Sequence, residues 1–265
     1  MWGTGRRAGQ PPGPGWPTDW RRQLGQIVVE VQTDTGLCGY GVGGGASAVH
    51  VIETVFRDLL MGRDAENVEA LHQEVCRHTA FYGRKGLVVM AISGLDLALW
   101  DLRGKSRDQS IAELLADEFD IRRPLPTYMT VFDDQAAQTA MQSGHRAIKL
   151  HVERFGDQPD ATAIAQLVEQ TRERLGEDAE IMLDAFARWD VETSLRVAEL
   201  IAPFRVTWLE EPLPPDDLPG YARLMKASPV PIAGGEHEYL AEGFQPLTDR
   251  SEERRVGHEC RSPWS

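Results

Sequence analysis

An α/β fold, with an α+β unit ahead of a run of strand–helix repeats, is predicted by three observations. Residues 23–123 open on an alternating apolar pattern and then keep helical spacing only. From "PLPTYMTVF" onward, short apolar runs recur with helices between them. Three of those runs end in a carboxylate at equal intervals.

The totals agree. The 265 residues are 42% hydrophobic and 26% charged, the make-up of an ordinary soluble globular protein. A net charge of -13 argues against nucleic acid or an anionic membrane surface as partner. No stretch is long and apolar enough to span a bilayer. Cys38, Cys76 and Cys260 form no spaced framework, which favours a reducing compartment. The lead "MWGTGRRAGQPPGPGWPTDWRR" lacks the apolar core of a signal peptide, so a cytoplasmic location is expected.

Residues 1–22, rich in Gly, Pro, Arg and Trp, read as an irregular lead. "QIVVEVQTDTGLCGYGVGGG" alternates on both sides of "TDTG", the sign of a β-hairpin. In "ASAVHVIETVFRDLL", Val49, Val51, Ile52, Val55, Phe56 and Leu59 keep helical spacing. "AENVEALHQEVCRHT" continues that way, and "GLVVMAISGLDLALWDLRGK" is apolar enough for a buried helix. The strand candidates then follow: "LPTYMTVF", "RAIKLHV", "EIMLDAF", "RVTWLEEP" and "VPIAGGEHE". After "KLHV" a helix starts near Asp160, a good N-cap, with Ile164, Leu167 and Val168 on one face. "VETSLRVAELIAPF" places Leu195, Ala198 and Ile201 likewise. Strands alternating with helices imply parallel pairing through crossovers.

Asp184 closes "IMLD", Glu210 closes "TWLE" and Glu236 closes "IAGGE", at intervals of 26 residues (184 to 210, 210 to 236). A (β/α)8 barrel uses about 31 residues per unit, so each interval is one compact unit. Equal phase predicts three acids at one height on the C-terminal mouth. Such acids repel unless a cation lies between them, and oxygen-only ligands suit Mg²⁺. The plain alternative is that an acid after a strand caps the next helix or sits solvated in a loop.

With "WLEEPLPP" and "GGEHEY" around them, and "FYGRKGLVVMAISGLDLALWDLRGK" upstream, these acids resemble the enolase superfamily in its mandelate racemase-like branch. The likeness runs from about Leu24 to Leu247 and leans towards acid-sugar dehydratases of the L-rhamnonate dehydratase type. It implies an α+β capping domain over residues 23–123 and an incomplete TIM-type (β/α) barrel, about five of eight strands, over 124–249. The implied chemistry abstracts a proton α to a carboxylate and gives a Mg²⁺-stabilised enediolate. Loss of the 3-hydroxyl then yields a 2-keto-3-deoxy sugar acid. Racemisation or cycloisomerisation on the same scaffold is the alternative. The implied partners are a small sugar acid and, for the family, further copies of the chain.

The same resemblance assigns roles. Asp184, Glu210 and Glu236 match the metal ligands, and Glu211 the neighbouring acid that supports them. Lys149 and His151 in "IKLH" stand where many relatives carry Lys-x-Lys, one residue apart and so on one strand face. His there weakens a racemase-type base, while Lys149 keeps an electrostatic role; a surface Lys–His pair is the alternative. His237 matches a group contacting substrate or assisting the leaving hydroxyl, against a hydrogen-bonded loop histidine. Phe186 replaces the Asn typical of racemases. Tyr82, Arg84 and Lys85 match a loop that closes over the sugar acid, against a solvated "GRKG" turn. The acid and base expected on strands six and seven have no counterpart here, so the chain as it stands is expected to be inactive and partly molten. "RSEERRVGHECRSPWS" resembles the translation of a synthetic adapter oligonucleotide, so residues 250–265 are expected to be non-native.

Overall fold

The structure, a computed structural model, describes residues 24–116 and 124–250. The expectations for the lead at 1–22 and for nearly all of the tail at 250–265 therefore lie outside the described residues. The chain divides into two units. One runs up to Leu125 and includes Glu238–Gly243; the other holds Pro126–His237 and the residues from Phe244 on.

In the first unit the alternating pattern gives the expected hairpin. Strand β1 (Gln26–Gln32) pairs antiparallel with β2 (Cys38–Gly44), Val29 opposite Gly41. The turn closes through the Thr33 amide on the Leu37 carbonyl at 2.9 Å. The helical stretch after it is less regular than its apolar spacing predicts. It starts as a 3-10 turn (Ala46–Ala48), passes through an α turn (Val49–Val51), widens to π geometry over Ile52–Phe56 and ends as α (Arg57–Leu60). Helices α1 (Val68–Thr79), α2 (Leu87–Arg107) and the short α3 (Ile111–Leu114) follow. Ile27, Val29, Phe56, Leu71, Val75, Ile92, Leu95 and Leu99 make one apolar core. The glycines of β2 have a packing reason: a Cβ on Gly41 would stand 2.0 Å from the Gly94 carbonyl oxygen, so only glycine lets the strand lie on α2.

The second unit is a five-stranded, wholly parallel sheet in the order β3-β4-β5-β6-β7. The strands are β3 (Met129–Val131), β4 (Ala147–His151), β5 (Glu180–Asp184), β6 (Leu209–Glu210) and β7 (Ile232–Ala233). Helices α4 (Asp134–Gln142), α5 (Ala161–Leu175), α6 (Val191–Ile201) and α7 (Leu218–Ala227) connect them, and α8 (Leu240–Arg250) follows β7. One sheet face is apolar: Ile148, Leu150, Ile181, Leu183 and Leu209 are fully buried with Ile164, Val168, Val197 and Ile201 of the helices. Crossover helices laid on a sheet face in this way are what parallel pairing produces.

Acids in this unit do two different jobs. Asp133, Asp160, Asp190 and Asp217 each cap the next helix, accepting backbone amides at 2.7, 2.9, 2.8 and 3.0 Å. Capping of these four helices is thus done by acids other than Asp184, Glu210 and Glu236. A buried Arg172 closes the other end of the sheet, its guanidinium donating to the carbonyls of Phe204 (3.0 Å), Gly176 (2.9 Å) and Ala179 (2.6 Å).

Candidate active site

Register decides which side chains share a face. His151 pairs with Asp184, Asp184 with Glu210, and Lys149 with Met182. Because alternate residues share a face, Lys149, His151, Asp184 and Glu210 all project from the face opposite the apolar core. Asp184 and Glu210 do sit level. Glu236 does not: Glu210 pairs with Ala233, so Glu236 lies three residues past that level, in a turn beyond β7. Equal sequence spacing was not equal height, because Gly234 and Gly235 carry the chain onward, Gly235 at a φ of 121°.

Lys149 is the centre of the charged face. Its Nζ lies 2.6 Å from Glu210 Oε1 and 3.0 Å from Asp184 Oδ2, and 5.7 Å from the centre of the Tyr128 ring. Burial opposes the ammonium charge, but the Glu210 hydrogen bond and the Asp184 charge outweigh it and hold the amine above its ordinary value. The other Glu210 oxygen accepts from Trp208 Nε1 at 2.9 Å, and Asp184 Oδ1 from the Phe186 amide at 3.0 Å. Trp208 also meets Tyr128 edge-on at 6.0 Å between ring centres. Tyr128 and Trp208 belong to this face and were not singled out from the sequence. The signal was available, since Trp208 stands two residues before Glu210.

His151 is buried between two rings, Phe132 at 5.4 Å and Phe186 at 5.3 Å. Its Nε2 is 4.0 Å from Asp184 Oδ2, and its buried Nδ1 has no hydrogen-bond partner among the described residues. A buried ring nitrogen left without a partner is costly unless it serves a ligand.

Glu211 is the structural anchor of the rim. It is 3% exposed and adopts a positive φ of 40°. Oε1 accepts the amides of Gly235 and Glu236, each at 3.0 Å, and Oε2 lies 2.6 Å from His237 Nδ1. Burial pushes the Glu211 carboxyl up, yet the His237 hydrogen bond and the two amides bring it below its ordinary value. The same bond holds the His237 imidazole above its ordinary value against the pull of burial. Glu236 goes the other way: burial, then the Glu211 and Asp184 charges, raise its carboxyl. Among the described residues one set of potential ligand atoms gathers within 4.8 Å, that of Glu211, Glu236 and His237.

The remaining candidates lie in the first unit. Tyr82 and Arg84 are exposed in the loop between α1 and α2, where the Tyr82 amide bonds the Thr79 carbonyl at 3.0 Å. Lys85 Nζ bonds Glu238 Oε1 at 2.8 Å, which gives the second acid of "GEHEY" a partner.

A parallel strand–helix sheet with acids gathered at its C-terminal rim, accompanied by an α+β unit, defines an incomplete (β/α) barrel enzyme scaffold. Two family descriptions match: "Mandelate racemase / muconate lactonizing enzyme, N-terminal domain" over residues 20–116, and "Enolase C-terminal domain-like" over residues 132–252. The chain belongs to the enolase superfamily, in the branch those two domains define. It is 34% identical to the 3,6-anhydro-alpha-L-galactonate cycloisomerase of Streptomyces coelicolor, over 82% of this chain and 62% of that protein. It is also 34% identical to the L-rhamnonate dehydratase of Saccharopolyspora erythraea, over 85% of this chain and 58% of that one. A racemase from Streptomyces coelicolor, solved with bound magnesium, superposes with a TM-score of 0.78 at 32% identity, over 85% of this chain and 65% of that one. The chain spans about six-tenths of the length of the curated relatives it matches. No helix among the described residues is long and apolar enough to cross a membrane.

Proposed function

We propose that the chain is the capping and first barrel portion of a Mg²⁺-dependent acid-sugar dehydratase of the L-rhamnonate dehydratase type. One observation carries the reading. Asp184 and Glu210, level on adjacent strands, converge on a single cationic atom, Lys149 Nζ, while Glu236 stands nearby with its carboxyl raised by burial and surrounding acids. The donors are hard oxygens, so the face fits a divalent ion. Asp184, Glu210 and Glu236 would hold it. Glu211 is better read as an anchor than a ligand, because one of its oxygens holds the two backbone amides of the turn that carries Glu236 and the other holds His237. Bound there, Mg²⁺ would neutralise charge that builds on a substrate carboxylate as the α-proton leaves.

The chain's own residues supply the rest. Lys149, held charged by its two acids, adds a second positive group for the same developing charge. His151, fixed between two rings with Nδ1 unpartnered, can take or give a proton. His237 commits Nδ1 to Glu211, which leaves Nε2 to protonate a departing hydroxyl. Tyr82, Arg84 and Lys85 remain substrate-contact candidates on their side-chain chemistry alone.

The test is incubation of the full-length gene product with a panel of sugar acids and Mg²⁺, assaying 2-keto-3-deoxy acid, with Asp184→Asn as the control that abolishes it. Activity that persists without divalent ions would refute the reading. The similarity to a cycloisomerase favours a second reading, supported by an isomeric product formed without loss of water. Metal or acid binding with no turnover would support a binding role instead.

A further inference from the structure

The first unit holds a separate cluster of reactive side chains that the proposed reaction does not use. His72 and Cys76 stand four residues apart on α1 and therefore share a helix face. Cys76 Sγ lies 3.4 Å from His72 Nε2, and His72 Nδ1 lies 3.0 Å from Asp96 Oδ1 on α2. All three side chains are partly exposed. The order sulfur, imidazole, carboxylate is that of a nucleophile, the ring that partners its charge and the group that orients the ring. The Asp96 and Cys76 hydrogen bonds, opposed by burial, lift the imidazole from 6.5 to about 10, so near pH 7 the ring is a cation that favours the thiolate beside it.

We propose that Cys76 is a thiol-exchange site whose co-reactant is a small disulfide. The Cys76 proton leaves to solvent, and the charged His72 ring faces the thiolate that remains. The sulfur attacks one sulfur of the disulfide, the disulfide S–S bond breaks, and a mixed disulfide forms on Cys76. The departing thiolate takes up a proton from solvent. One thiol and one disulfide thus give one mixed disulfide and one thiol, with no further oxidant. Asp96 touches the ring only and is a positioning residue.

Cys38 is the internal comparison. It is also a partly exposed free thiol, but its polar contacts are the Gly36 carbonyl at 3.7 Å and the Tyr40 side chain, with no imidazole among the described residues. The intact chain is treated with the aromatic disulfide dithiobis(nitrobenzoate) near pH 7, and labelled peptides are mapped by mass. Cys76 should label about ten times faster than Cys38, a difference abolished in urea. His72→Gln should bring Cys76 down to the Cys38 rate, Asp96→Asn should slow it less, and Asp96→Glu should restore it. Circular dichroism confirms the fold of each variant. Equal native rates for the two cysteines would overturn the proposal. So would an unchanged Cys76 rate in folded His72→Gln or, should that variant not fold, in Asp96→Asn.

Discussion

Replacing Glu211 by Gln tests how the rim is held. The carboxylate is 4% exposed at its side chain and receives three donors: the Gly235 and Glu236 amides and His237 Nδ1. Gln keeps one carbonyl oxygen for the amides but loses the charge and presents an NH₂ to the histidine. Hydrogen bonds to a charged group contribute about 1.5–3 kcal/mol each, against about 1 for neutral ones. His237 is 39% exposed, so solvent screens its share. The expected cost is about 2 kcal/mol. Its pH dependence follows from the two directions. Glu211 is lowered on folding, so its contribution is whole above the ordinary 4.5 and fades as pH falls below that. His237 is raised, so its contribution is whole below the ordinary 6.5 and fades as pH rises through the folded value. The difference between wild type and variant should therefore peak between about pH 4.5 and 6.5. Urea unfolding followed by circular dichroism at pH 5.5 and 9 reads it. No loss of stability in Glu211→Gln, or an equal loss at both pH values, would refute the reasoning.

Three further outcomes follow from packing and charge. Lys149→Met leaves Asp184 and Glu210 facing one another with no cation, at a cost of about 3–5 kcal/mol, and Mg²⁺ should recover much of it in a thermal melt. Arg172→Leu strips donors from the carbonyls of Phe204, Gly176 and Ala179, and urea titration should show a loss of roughly 2–4 kcal/mol. Gly41→Ala drives a Cβ into the Gly94 carbonyl and the Ala98 amide, both backbone, so β2 must part from α2; about 3 kcal/mol is expected, read by calorimetry.

The parts of the fold legible in the sequence are those set by local period. Alternation around "TDTG" marked β1 and β2, and apolar spacing marked α1, α2, α5 and α6. Asp160 could be recognised as a cap because the residues it caps adjoin it. Features set by distant contacts were not legible. The π widening at Ile52–Phe56 keeps the same apolar residues that a regular helix would. The offset of Glu236 depends on strand register and on two glycines, neither of which a count of 26 residues contains. Glu211 became an anchor only when the chain returned 24 and 25 residues later to present two amides. The contact of Lys149 with both acids likewise needed the pairing of β4, β5 and β6.

Divalent-ion binding by the intact chain tests the central claim most directly. Titration calorimetry with Mg²⁺ should give one site, abolished in Asp184→Asn and in Glu210→Gln and weakened in Glu236→Gln. Asp190→Asn, a change to a helix cap away from the rim, should leave it intact. Unaltered Mg²⁺ binding in Asp184→Asn and Glu210→Gln would contradict the account.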